Sequence, residues 1–124
     1  MTVSYFPTTT HNYNFTEFSD NDWARFAVEM DAYDALDAAR SPYTPDDVLG
    51  QCAEYPATDV RTAMASRSDV SKWSKRLVRD GERDVRMALA MNPRTDRFPL
   101  SELLKDSDST VVAMARENGN CPGV

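Results

Sequence analysis

The sequence predicts an all-α fold: a short solenoid of antiparallel helix pairs, entered through an N-terminal capping helix and an extended N-terminal segment. Three observations carry the prediction. Short strings recur every 25–26 residues, the apolar residues within them follow helical spacing, and proline, asparagine and glycine punctuate the intervals.

The recurrence is clearest in three strings. Asp59-Val60-Arg61-Thr62-Ala63-Met64-Ala65 returns as Asp84-Val85-Arg86-Met87-Ala88-Leu89-Ala90, and more weakly as Thr110-Val111-Val112-Ala113-Met114-Ala115. Leu77 and Asp80 return as Leu103 and Asp106. Ser41-Pro42-Tyr43-Thr44 is echoed by Asn92-Pro93-Arg94-Thr95 and again around Asn118-Gly119-Asn120-Cys121. The third unit departs from the others, because Val112 stands where Arg61 and Arg86 stand.

Residues 1–19 hold Tyr5, Phe6, Tyr13, Phe15 and Phe18 with no helical period. Disordered tails are poor in aromatics, so an ordered extended cap is expected, with a hairpin across Pro7–Asn12 as one form of it. Residues 20–40 read as one longer helix capped by Ser19 or Asp20. Trp23, Phe26, Ala27, Met30 and Tyr33 form its stripe, and Asp20, Asp22, Glu29, Asp31, Asp34 and Asp37 its acidic surface.

Residues 41–124 read as helical units, the pattern running over 41–122. Thr44-Pro45 offers a cap followed by proline at the first helical position, and Val48, Leu49 and Cys52 share a face. Pro56 closes that helix and Thr58 caps the next, which carries Val60, Ala63 and Met64. Ser68 opens a helix with Val70, Trp73, Leu77 and Val78 inward, ended by Asp80-Gly81 with the glycine in the left-handed conformation. Val85, Ala88 and Leu89 follow, then Asn92-Pro93 as a stop. Leu100, Leu103 and Leu104 mark another helix, and Val111, Val112 and Ala115 the last. The alanines at 63, 65, 88, 90, 113 and 115 are expected to let neighbouring helices approach closely.

These strings, Asp-Val-Arg-x-Ala-x-Ala at 59–65 and 84–90, Asn92-Pro93-x-Thr95 and Leu103-Leu104-x-Asp106-x-Asp108, resemble the bacterial leucine-rich repeat variant, a HEAT-like helical repeat. The resemblance covers about two-thirds of the chain. It implies a stacked scaffold of the protein-binding kind, in one domain overall. Some members of that family carry a cysteine-ligated iron–sulfur cluster outside the repeats. Cys52 and Cys121 do not supply the clustered cysteines for it, so no cofactor is expected.

Composition narrows the function. With 41% apolar and 27% charged residues the chain is of globular type, and no apolar run approaches the roughly 20 residues of a membrane span. The N-terminus lacks the basic patch and apolar stretch of a secretory signal, and two distant cysteines make no disulfide framework. A cytoplasmic protein with reduced thiols is expected. No phosphate-binding glycine loop is present, and His11 has no second histidine with which to form a metal pair. No catalytic, metal-binding or cofactor-binding residue is assigned, and Cys52 on its apolar stripe reads as a core residue.

Charge is lopsided within the net −6. Residues 1–60 carry eleven acids and two bases, residues 61–97 ten bases and five acids, and residues 98–124 two bases and four acids. Lys72, Lys75, Arg76 and Arg79 fall at i, i+3, i+4 and i+7 on one helical face; Arg83 follows, and Arg61 and Arg86 occupy equivalent places in adjacent units. These seven residues are the candidate partner-binding set. They read either as a solvated face whose arginines pair with Asp59, Asp84 and Asp80, or as a docking surface for an acidic protein segment. The expected function is a non-enzymatic protein-interaction module of the size of a small bacterial or phage accessory protein. Nucleic-acid binding through residues 61–97 is the alternative, disfavoured by the acidic whole. A last unit with nothing stacked on it would leave apolar surface open, and end-to-end pairing of two copies is one way to cover it.

Overall fold

The computed structural model describes residues 13–122, and among them it is all-helical: eight α-helices, two short 3-10 turns and no strand. The hairpin expected across residues 7–12, together with Tyr5, Phe6 and His11, lies outside the described residues.

A 3-10 turn over Phe15–Glu17 leads into α1, Asp20–Glu29. Tyr13, Phe15 and Phe18 pack on Trp23 and Phe26 of α1, with Phe15 stacked on Trp23 at a centroid distance of 5.0 Å and Phe18 4.8 Å from it. Ser19 is the N-cap: its hydroxyl accepts from the Asp22 N–H, and the Asp22 carboxylate accepts from the Ser19 N–H.

The single helix expected over 20–40 is two helices. Met30 is extended, with ψ 137°, and α2 starts afresh at Ala32–Arg40. The cause is a second reciprocal cap. The Asp31 carboxylate accepts from the Asp34 N–H at 2.9 Å, and Asp34 accepts from the Asp31 N–H at 3.1 Å. The break turns Tyr33 off the apolar stripe and leaves it exposed, while Ala35, Ala38 and Ala39 become core. Asp34 is buried and accepts the Tyr13 hydroxyl at 2.6 Å. Burial, then that hydrogen bond and the nearby aspartates, push the Tyr13 hydroxyl well above the usual tyrosine range.

Helix α3 is Asp46–Ala53, burying Val48, Leu49, Cys52 and Ala53. Pro45, not Thr44, holds its N-cap position; the Thr44 hydroxyl instead donates to the Ala38 carbonyl at 2.6 Å. Asp46 and Asp47 stand in the first turn, where the helix field favours anions. Helix α4, Thr58–Ala65, starts with Thr58 inside it and makes no side-chain cap.

The helix expected from Ser68 is fragmented into a 3-10 turn, Val70–Lys72, and a single turn α5, Ser74–Leu77. Valine, serine and tryptophan are weak helix formers, and Asp69 spends its carboxylate on Arg67 at 2.7 Å instead of capping. Val70, Leu77 and Val78 are nonetheless buried, with Trp73 half-buried. Gly81 does not adopt the left-handed conformation, since no described residue has positive φ. The chain turns on Asp80, whose carboxylate accepts the Glu82 N–H at 2.9 Å. Helix α6 is Arg83–Met91, α7 Arg97–Leu103 and α8 Ser109–Glu117, the last capped by Asp108.

Helices α2, α4, α6 and α8 pack in that order, each on the next. Helix α3 packs against α2 and α4, α5 against α4 and α6, and α7 against α6 and α8; α1 packs on α3. Val60, Val85 and Val111, 25 and 26 residues apart, are fully buried. The alanines divide into two classes. Ala65, Ala90 and Ala115 are fully buried, whereas Ala63 and Ala88 are half-buried and Ala113 is exposed.

A ladder of side-chain hydrogen bonds ties the first series together. A guanidinium nitrogen of Arg67 donates to the Ala39 and Ser41 carbonyls at 2.6 and 2.8 Å. The Asn92 amide donates to Ala65 and Arg67, and the Asn118 amide to Ala90 and Asn92, all at 2.8 Å. Carbonyls at a helix C-terminus have no partner within the helix; here the donor comes from the end of the next helix in the series. Thr95 repeats the Thr44 bond, donating to the Leu89 carbonyl at 2.6 Å.

Candidate interaction surface

The structure divides the seven candidate cations. Arg61 and Arg86, on α4 and α6, are largely buried and bridge forward. Arg61 Nε and one Nη grip Asp80 at 2.8 and 3.2 Å, while the other Nη donates to the Tyr55 and Pro56 carbonyls. Arg86 grips Asp106 at 2.8 and 3.3 Å and donates to the Asp80 carbonyl. The carboxylate partners are thus Asp80 and Asp106, not Asp59 and Asp84. Hydrogen bonding to Asp80 raises the Arg61 pKa further above its usual value. At the third equivalent position Val112 makes no such bridge. These two arginines are joints between helices.

The other five lie outside. Arg83 meets Asp108 at 2.8 Å, Lys72 meets Asp46 at 3.2 Å, Arg76 meets Glu54, and Arg79 stands 3.8 Å from Glu102. Lys75 has no carboxylate partner among the described residues. The fragmentation of the 68–79 segment does not disperse these cations: Lys72, Lys75, Arg76 and Arg79 are all exposed. It does place Lys72, Arg76 and Arg79 against carboxylates from other segments, as with Asp46, 26 residues before Lys72. Exposed pairs of this kind are worth about 0–1 kcal/mol each, but they cancel most of the local positive charge.

An open groove of about 920 Å³ runs along the α2–α4–α6 series, with no lining residue from α3, α5 or α7. Its lining runs along α4 through Thr58, Asp59, Thr62, Ala63 and Ser66, with Ala39 and Arg40 of α2 on one flank and Met87, Ala88 and Met91 of α6 on the other. The small side chains at 63 and 88 lower the groove here, where residues of ordinary size would fill it. Asp59 and Asp84 stand at one end, and Arg40, Pro42 and Arg67 at the other. Sequence reasoning missed this surface. It read every repeated alanine as a packing residue, and periodicity alone does not separate a helix–helix contact from a shallow open face.

Cys52 is buried and directs its sulfur at the Ala35 carbonyl, 3.6 Å away; burial pushes its thiol up to about 11. Cys121 is half-exposed. Among the described residues no three His, Cys, Asp or Glu side chains gather as a metal site, and no helix is long and apolar enough to cross a membrane. Val112 and Met114 of α8 are half-buried, and none of the exposed large apolar side chains is on α8. No family model, curated protein or solved structure matches this chain.

Proposed function

We propose that this chain is a non-enzymatic protein-interaction module built on a short HEAT-like solenoid, in the manner of the leucine-rich repeat variant, with α2, α4, α6 and α8 as one layer and α1, α3, α5 and α7 as the other. The pairs run antiparallel; the equivalent Asn92 and Asn118 bonds, 26 residues apart, and the equivalent Thr44 and Thr95 bonds, 51 residues apart, support that arrangement. The single observation that carries the function is the groove along α4. A rigid floor held by the Arg67–Asn92–Asn118 ladder presents small side chains and two adaptable methionines, Met87 and Met91, to an incoming segment. Its charge is polarised, with Asp59 and Asp84 at one end and Arg40 at the other, which suits a short partner segment carrying a cation over the aspartates. Nucleic-acid binding has less support, because six of the seven candidate cations already face carboxylates.

The test is site-directed photo-crosslinking in extract of the source cells. A photoreactive side chain at Thr62, in the groove, should yield a discrete protein adduct that Ala63→Arg abolishes. The same group at Asp47 on α3 should yield none. No adduct at Thr62, or equal adducts at both positions, overturns the proposal.

A further inference from the structure

We propose that the cleft between α5 and α7 is a second docking site, for an acidic peptide segment of a partner protein that inserts one apolar side chain. This goes beyond the groove reading and does not depend on it. Phe98, in the first turn of α7, is 86% exposed, the most exposed of the large apolar side chains described. Beside it lies a cleft of about 360 Å³ whose apolar walls are Val78, Phe98 and Pro99. That volume suits one or two large side chains and is too small for a helix. A lone exposed apolar residue is ordinary, but one that walls a cleft gives an incoming side chain a pocket to fill.

Charge selects the class of occupant. Lys75 and Arg79 line the same cleft, with Glu102 as the one carboxylate beside them, so the lining keeps a net positive charge. Lys75 has no carboxylate partner among the described residues, and Arg79 has the longest of the ion pairs, 3.8 Å to Glu102, with 77% of its side chain exposed. Elsewhere on the molecule Asp46, Glu54, Asp80, Asp106 and Asp108 hold their cations at 3.2 Å or closer. The cleft is therefore where positive charge is left over beside an apolar surface, on a protein that is otherwise acidic. A segment bringing carboxylates for Lys75 and Arg79 and a leucine or aromatic for the Val78–Phe98–Pro99 wall matches both features. Nucleic acid matches only the charge, and two cations supply little phosphate affinity.

The experiment selects a displayed library of random twelve-residue peptides on the immobilised full chain, then measures one enriched peptide by fluorescence anisotropy. Enrichment of sequences that combine acids with Leu, Phe or Trp is expected. Phe98→Ser should weaken the chosen peptide by roughly tenfold or more. Lys75→Glu and Arg79→Glu should each weaken it by about twofold to fivefold, and added salt should weaken it further. Ala63→Arg, in the groove, should leave it unchanged, which separates this site from the groove. Phe98, Lys75 and Arg79 are exposed and Ala63 is half-buried, and unchanged thermal melts confirm that all four variants fold. Enrichment without acids, affinity indifferent to Phe98→Ser, or loss on Ala63→Arg overturns the proposal. So does displacement of the peptide by a duplex oligonucleotide at matched charge, or self-association in light scattering that Phe98→Ser abolishes.

Discussion

Replacing Asn92 with alanine tests the ladder where it is deepest. Asn92 is 6% exposed, and its amide donates to the Ala65 and Arg67 carbonyls at 2.8 Å each while its side-chain oxygen accepts the Arg94 N–H at 2.9 Å. A net hydrogen bond is worth about 1 kcal/mol, and a buried acceptor left without a donor costs more. Three bonds therefore put the loss at roughly 3 kcal/mol, a large share of the ~5–15 kcal/mol that holds a domain together. With a urea dependence of ~1–3 kcal/mol per M, the unfolding midpoint should fall by roughly 1–3 M. Asn92→Asp should cost at least as much, because it sets an anion against two carbonyls. Asn118→Ala, at a half-buried position, should cost less, about 1–2 kcal/mol. Equilibrium urea unfolding followed by circular dichroism reads all three. A midpoint for Asn92→Ala within roughly 0.3 M of the parent, about a third of the smallest expected shift, would refute the reasoning, since the end of α6 would then not be holding the end of α4.

Three further outcomes follow from the same geometry. Ala65→Leu should overpack the contact between α4 and its neighbours and cost about 1–3 kcal/mol, whereas Ala63→Leu, over the groove, should be nearly neutral; equal losses would contradict the division of the alanines. Arg86→Ala takes the guanidinium from the Asp80 carbonyl and from Asp106, which keeps the Asp108 N–H, and should cost roughly 2–3 kcal/mol, against under about 0.5 kcal/mol for Arg83→Ala, with thermal melts as the readout. The Cys52 thiol has its folded pKa raised from 9.0 to about 11, so the folded state holds its proton more tightly than the unfolded one. That stability is complete below about pH 9 and is lost as pH rises through 11, a fall of roughly 2–3 kcal/mol that Cys52→Val should remove. In native buffer a thiol reagent should label Cys121 and spare Cys52; rapid labelling of both would show that the core opens readily.

The sequence by itself determined the elements that depend on neighbours within a turn or two. The all-helical fold, the valines at 60, 85 and 111, the stop at Asn92-Pro93 and the burial of Cys52 follow from helical period and local chemistry, and those are written in adjacent residues. Local reasoning also had the means to place the break at Asp31, where an aspartate three residues ahead of Asp34 makes a second cap; the long stripe from Trp23 to Tyr33 drew attention away from it.

Tertiary structure alone decided which charges remain available. Arg61 and Asp80, Arg86 and Asp106, and Lys72 and Asp46 lie 19–26 residues apart, so nothing along the chain tells a joined cation from an available one such as Lys75. The ladder was hidden for a related reason. Its donors are an arginine and two asparagines, Arg67, Asn92 and Asn118, which share a position and a task but not a residue type. Phe98 lies outside the stripe of Leu100, Leu103 and Leu104, and only the neighbouring helices show that it is left exposed beside a cleft. Short-range spacing sets the helices; the faces they bury and the charges they cancel are set by segments a whole unit away, and the two candidate surfaces are what those segments leave uncovered.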